Sequence, residues 1–76
     1  MKVRWILTPS GDRAFYQVGQ EIFTRSGQIA YRVLDNRWYE VPSRQVSFQV
    51  SGQQVFRPNG DLAYYYEATE VVGPLG

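Results

Sequence analysis

Apolar and polar residues alternate with a period of two through most of this chain. The pattern is cleanest over Gln45-Val46-Ser47-Phe48-Gln49-Val50, where every second residue is apolar, as in a strand with one buried face. Ala14, Tyr16 and Val18 repeat it earlier in the chain. No window carries the period of an amphipathic helix. Turn residues divide the alternating stretches. Pro9 and Pro42 end two of them, because proline cannot donate a ladder hydrogen bond. Thr24-Arg25-Ser26-Gly27 and Arg57-Pro58-Asn59-Gly60 have the chemistry of hairpin turns, with glycine where φ is positive. Asp35-Asn36 reads as a two-residue hairpin, and Gly19 and Gly52 mark two further joins. The punctuation predicts strands over 3–8, 13–18, 20–25, 28–34, 37–41, 45–50, 53–57 and 61–67. Residues 68–76 read as a frayed tail.

The pattern also recurs at longer range. Displaced by 33 positions, Arg4-Trp5 falls on Arg37-Trp38 and Pro9-Ser10 on Pro42-Ser43. With Gly11 skipped, Tyr16-Gln17-Val18 falls on Phe48-Gln49-Val50; with Ser51 skipped, Gly19-Gln20-Glu21-Ile22-Phe23 falls on Gly52-Gln53-Gln54-Val55-Phe56. Gly27 and Ala30-Tyr31 then meet Gly60 and Ala63-Tyr64. Twelve of 28 aligned pairs are identical, where chance would leave one or two. The chain therefore reads as two tandem repeats, about 3–34 and 36–67, within a single domain covering 1–76. Ser51, the unmatched residue, reads as a bulge.

Strand alternation nominates a core of Ala14, Tyr16, Val18, Ile22, Ile29, Tyr31 and Val33 from the first repeat. Val46, Phe48, Val50, Val55, Leu62, Tyr64 and Tyr66 are nominated from the second. Phe15, Phe23, Phe56, Tyr65, Ala30 and Ala63 fall on the opposite face. A flat sheet would leave that second set in water. The expected fold is therefore all-β, a small antiparallel barrel or barrel-like sheet of about eight short strands with pseudo-twofold symmetry. Two propeller-like blades completed by oligomerisation are the alternative, although repeats this short fall below the 40–45 residues usual for a blade.

Composition narrows the function. A 76-residue chain buries only about 60% of its unfolded surface, and small folds commonly need disulfides, metals or oligomerisation. Cysteine and histidine are both absent. That removes disulfides, the soft zinc ligands and the commonest catalytic base and thiolate. Oligomerisation remains, with a homodimer favoured. Carboxylate pairing is also uninformative, since Asp35 and Glu40 have the ordinary spacing of acids around a hairpin. No glycine-rich phosphate loop occurs, and no cofactor or metal is expected. The chain reads as a non-enzyme.

Net charge is +1, so no strong field steers a partner. All eight basic residues lie within 1–57 beside four acids, whereas 58–76 holds three acids and no base. No apolar run approaches the roughly 18 residues of a membrane span. Arg4 interrupts the N-terminal apolar stretch, which is too short for a signal peptide. A cytoplasmic location without membrane attachment is the default expectation.

Twelve aromatic residues are more than so small a core accommodates. The surplus suggests a binding or assembly module. Arg37, Trp38, Tyr39, Arg4 and Trp5 combine arginine with flat apolar plates. They are the candidate ligand-binding residues, for single-stranded nucleic acid through stacking and phosphate contact, or for carbohydrate as a duplicated lectin-like unit. Phe15, Phe23, Phe56 and Tyr65 are of residue types enriched in protein interfaces and are the candidate assembly surface. In rhythm, Val18-Gly19-Gln20-Glu21-Ile22-Phe23 and Arg37-Trp38-Tyr39-Glu40-Val41-Pro42 resemble SH3-like and Tudor-like barrels. The resemblance covers no defining motif, so no site residue is carried over from it.

Overall fold

The computed structural model describes residues 2–73. Nine strands follow one another: β1 Lys2–Leu7, β2 Arg13–Val18, β3 Glu21–Thr24, β4 Ile29–Leu34, β5 Arg37–Glu40, β6 Val46–Ser51, β7 Gln54–Phe56, β8 Leu62–Tyr66 and β9 Val71–Val72. The strands fall within a residue or two of their expected positions, since alternation and turn glycines are local signals. Each strand from β1 to β7 pairs antiparallel with the next, and β1 pairs with both β2 and β8. Eight strands thus close into a barrel, which leaves no free sheet edge among them. β9 is an addition that pairs with Lys2 and Val3 at the start of β1. Val71 and Val72 of the expected frayed tail are therefore strand residues; its last three residues lie outside the described set. Among the described residues no helix is long and apolar enough to cross a membrane.

Asp35 and Asn36 turn the chain between Leu34 and Arg37 with φ of 52° and 61°, the tight hairpin that the dipeptide implies. Four longer hairpins close the opposite end. Three turn at Gly11, Gly27 and Gly60, with φ of 98°, 95° and 94°. In each, the glycine N–H donates to the carbonyl three residues earlier, on Thr8, Thr24 or Arg57. In the fourth, Arg44 takes a positive φ of 62° and its N–H donates to the Glu40 carbonyl.

Each of these four hairpins contains one register shift. Ile6 pairs with Phe15 but Leu7 with Arg13, Ile22 with Tyr31 but Phe23 with Ile29, Trp38 with Phe48 but Tyr39 with Val46, and Val55 with Tyr64 but Phe56 with Leu62. The unpaired residues are Ala14, Ala30, Ser47 and Ala63, all small. Such a bulge sharpens the local twist and bend, which a barrel this narrow needs to close. The expected bulge at Ser51 is absent, because Ser51 pairs with Gln54 in an unbroken ladder.

The bulges also overturn part of the expected core. Skipping one residue reverses the facing of every side chain beyond it. Val18 packs on the outer side of the sheet, Ile29 and Val46 are exposed, and Ala14 is a half-buried bulge residue. Tyr16 is buried but belongs to the outer cluster. Phe15, expected on the outer face and at an interface, packs inside.

Candidate binding surfaces

The barrel interior is filled. Ile6, Ile22, Trp38 and Val55 lie at the four ladder positions just before the bulges, and all are fully buried. Their partners Phe15, Tyr31, Phe48 and Tyr64 form a closed ring. Successive ring centroids lie 5.7, 5.7, 5.6 and 5.4 Å apart, with interplanar angles between 69° and 83°. This edge-to-face cycle is the arrangement favoured by aromatic quadrupoles, worth about 0.5–1.5 kcal/mol per pair beyond area burial. The Trp38 indole lies within 6.1 Å of all four rings and forms the floor beneath them. The ring is half-buried and caps the end carrying the four bulged hairpins. Burial raises the Tyr31 hydroxyl above its ordinary pKa, and Tyr64 and Glu40 raise it further.

Towards the other end the interior becomes polar. The Trp38 Nε1–H donates to the Tyr66 hydroxyl at 3.0 Å. That hydroxyl donates to Gln17 Oε1 at 2.7 Å, and Gln17 Nε2 donates to the Gly19 carbonyl at 2.8 Å. The Arg4 guanidinium lies 4.8 Å from the Tyr66 ring centre, and its Nε–H donates to the Glu67 carbonyl at 2.8 Å. Burial raises the Tyr66 pKa, while the indole donor and Arg4 pull it down. Arg4, Gln17, Gly19, Ala68 and Glu70 surround a shallow opening of about 400 Å³ at this end. Arg4 is thus tied to the fold by its backbone contact and the aromatic ring beneath it.

Trp5 and Trp38, matched in the sequence, occupy opposite sides of the sheet. Trp38 sits opposite Phe48 on the inner face, whereas the residue opposite Phe15 is Ile6. Trp5 lies on the outer face beside Val3, Leu7 and Tyr16, with Val18, Phe23 and Tyr65 around them. It meets Tyr16 edge-on at 5.5 Å and carries the Arg13 guanidinium 4.6 Å above its ring. Phe23 stacks on Tyr16 at 5.4 Å. Both indoles are buried, Trp38 fully and Trp5 to 8% exposure. Neither is the exposed plate that a matched pair of ligand sites needs. Of the candidate interface set, Phe15 lies in the core, Phe23 and Tyr65 belong to the outer cluster, and Phe56 is half-buried on β7.

Arg37 and Tyr39 do reach the surface. Both flank Trp38 and so face outward. Tyr39 pairs with Arg32 on β4 and with Val46 on β6, and Arg37 pairs with Leu34. Tyr39, Arg32, Leu34, Glu40, Val41, Pro42 and Arg44 line an open groove of about 660 Å³. Leu34, Val41 and Val46 are large apolar residues left exposed here. Among the described residues, Arg37 and Arg44 make no ion pair, and Arg32 meets Glu21 only at 3.5 Å. The Glu40 carboxylate accepts a hydrogen bond from Ser43 Oγ at 3.2 Å. The groove thus gathers two cations, one carboxylate, one aromatic ring and apolar walls. Sequence reasoning also marks Arg32 as an arginine suited to a nucleic-acid site, but it missed Arg44 and the Val41-Pro42 wall as parts of this site. Arg44 gives a faint signal, a non-glycine at a hairpin position held by glycine in the other three.

In comparisons with known proteins, no family model, no curated protein and no solved structure matches this chain.

Proposed function

We propose that this protein is a non-enzymatic binding module that works through the outer face of β4, β5 and β6. One observation carries the reading: the groove beside Tyr39 sets exposed Leu34 and Val41 next to Arg32 and Arg44, whereas the barrel interior is packed with Trp38 and its aromatic ring. A filled interior leaves no room for an enclosed ligand, so recognition falls to the surface. Mixed apolar and cationic grooves bind partners by burying the apolar walls while the cations fix register.

Amide NMR tests the reading with three probes: a thymidine oligonucleotide, a mixture of soluble glycans, and the protein itself at rising concentration. Shift changes concentrated in residues 32–46 support it. No change there with any probe overturns it.

Self-association through this face is the second reading, favoured by exposed Leu34 at 46% and Val46 at 40% in a chain too short for a large core. Sedimentation at high micromolar concentration separates the two. A dimer dispersed by Leu34→Arg supports assembly, and a compact monomer removes it.

A further inference from the structure

We infer that the groove takes single-stranded nucleic acid, with a base stacked on Tyr39 and phosphates held by Arg32 and Arg44. The inference rests on the binding-module reading and adds its ligand class.

Three observations converge on it. Arg32 and Tyr39 are direct cross-strand partners, which places the two side chains side by side on one face. Arg44 lines the same groove from the 41–45 turn, so two guanidiniums border the groove that holds Tyr39. Those cations are also available. Among the described residues, Arg44 and Arg37 make no ion pair, and Arg32 has only the 3.5 Å contact to Glu21. By contrast, Arg4 is held over Tyr66 and Arg13 over Trp5. Arg4 and Arg13 thus pack on aromatics to hold the barrel, whereas Arg32 and Arg44 stand exposed at the groove beside Tyr39.

The chemistry matches a single strand better than a duplex or a sugar. A half-buried aromatic with one open face stacks any base, because every base has a π face, while neighbouring guanidiniums follow the phosphates. Leu34 and Val41 give the apolar flank on which an unstacked base rests. A rigid duplex would not fold its bases into a groove of about 660 Å³. The net charge of +1 limits the long-range field, so affinity should be modest and its salt dependence shallow.

Fluorescence anisotropy of a labelled thymidine oligonucleotide tests the proposal on the full chain at two salt concentrations. Binding at low salt should weaken with a log–log slope of about −1.4, the value for two phosphate contacts on a single strand. Tyr39→Ala should weaken binding roughly 5- to 150-fold, the range for losing one stacked base, and Tyr39→Phe should retain it. Arg32→Ala combined with Arg44→Ala should flatten the salt slope. Arg25→Ala, on a turn outside the groove, should change little. All variants are first checked for a cooperative melt.

Absence of binding at low salt overturns the nucleic-acid assignment. So does oligonucleotide binding that is indifferent to Tyr39→Ala, which would mean charge alone. If a glycan or a second copy of the chain perturbs residues 32–46 while the oligonucleotide does not, the binding-module reading stands and this assignment falls. If no probe perturbs them, both fall.

Discussion

The indole N–H of Trp38 on β5 donates to the hydroxyl of Tyr66 on β8, 3.0 Å away and 28 residues later in the chain. The same hydroxyl donates onward to Gln17 on β2. Three strands from distant parts of the sequence are therefore joined by one polar line through an otherwise apolar interior. Tyr66→Phe removes the shared oxygen, leaving a buried indole donor and a Gln17 acceptor without partners. We expect it to destabilise the protein by about 1–3 kcal/mol, read as a lower urea midpoint with unchanged slope. Trp38→Ala should cost about 3–5 kcal/mol, enough to unfold a domain of this size under mild conditions.

Tyr16 presents the opposite case. Its hydroxyl is buried and has no hydrogen-bond partner, and it lies beneath the turn at Gly27, where an added Cβ would sit 3.7 Å away. Removing an unsatisfied buried polar group recovers its desolvation cost. Tyr16→Phe should raise stability by about 1 kcal/mol, visible as a higher melting temperature. A fall would mean that the hydroxyl contributes to the fold.

Arg44 separates folding from binding. Its φ of 62° is a left-handed conformation that costs an L-residue roughly 1 kcal/mol and glycine almost nothing. Arg44→Gly should therefore raise stability by that amount, read as a higher urea midpoint, while weakening oligonucleotide binding. Opposite movement of the two readouts would show that a strained residue is kept for its guanidinium.

Alkaline pH should loosen the barrel. Tyr31 and Tyr66 both have pKa values raised above the ordinary 10.0, each chiefly by burial. Above pH 10 the unfolded chain sheds these protons while the folded chain still holds them, so the unfolded state binds fewer protons and stability falls as pH rises. Their contribution is whole below pH 10 and is lost as pH climbs through the folded values. Urea midpoints measured from pH 8 to 11 should decline above 10, and less steeply in Tyr31→Phe. An unchanged midpoint would contradict the burial of these phenols.

The strands and their turns were legible in the chain because they are written locally. Alternation marks each strand within a few residues, and Asn59-Gly60 or Asp35-Asn36 turns the backbone by its own φ preference. The Tyr39 end of the groove was partly legible too, since Arg37, Trp38 and Tyr39 stand together. One regular signal went unread: Phe15, Tyr31, Phe48 and Tyr64 recur every 16 or 17 residues, as do Ile6, Ile22, Trp38 and Val55. That spacing is the length of one hairpin with its neighbouring turn.

Facing was decided only in three dimensions. Arg4-Trp5 and Arg37-Trp38 are identical as letters, yet one indole lies outside and the other fills the barrel. In the first hairpin the register shift follows Ile6, and in the third it follows Trp38. A bulge is a relation between two strands, and a one-residue difference in its position carries a side chain across the sheet. The chain alone therefore specifies that a tryptophan sits on each strand. Only barrel closure determines that Trp38 becomes the core, leaving its neighbour Tyr39 on the outer face, while Trp5 joins the outer cluster.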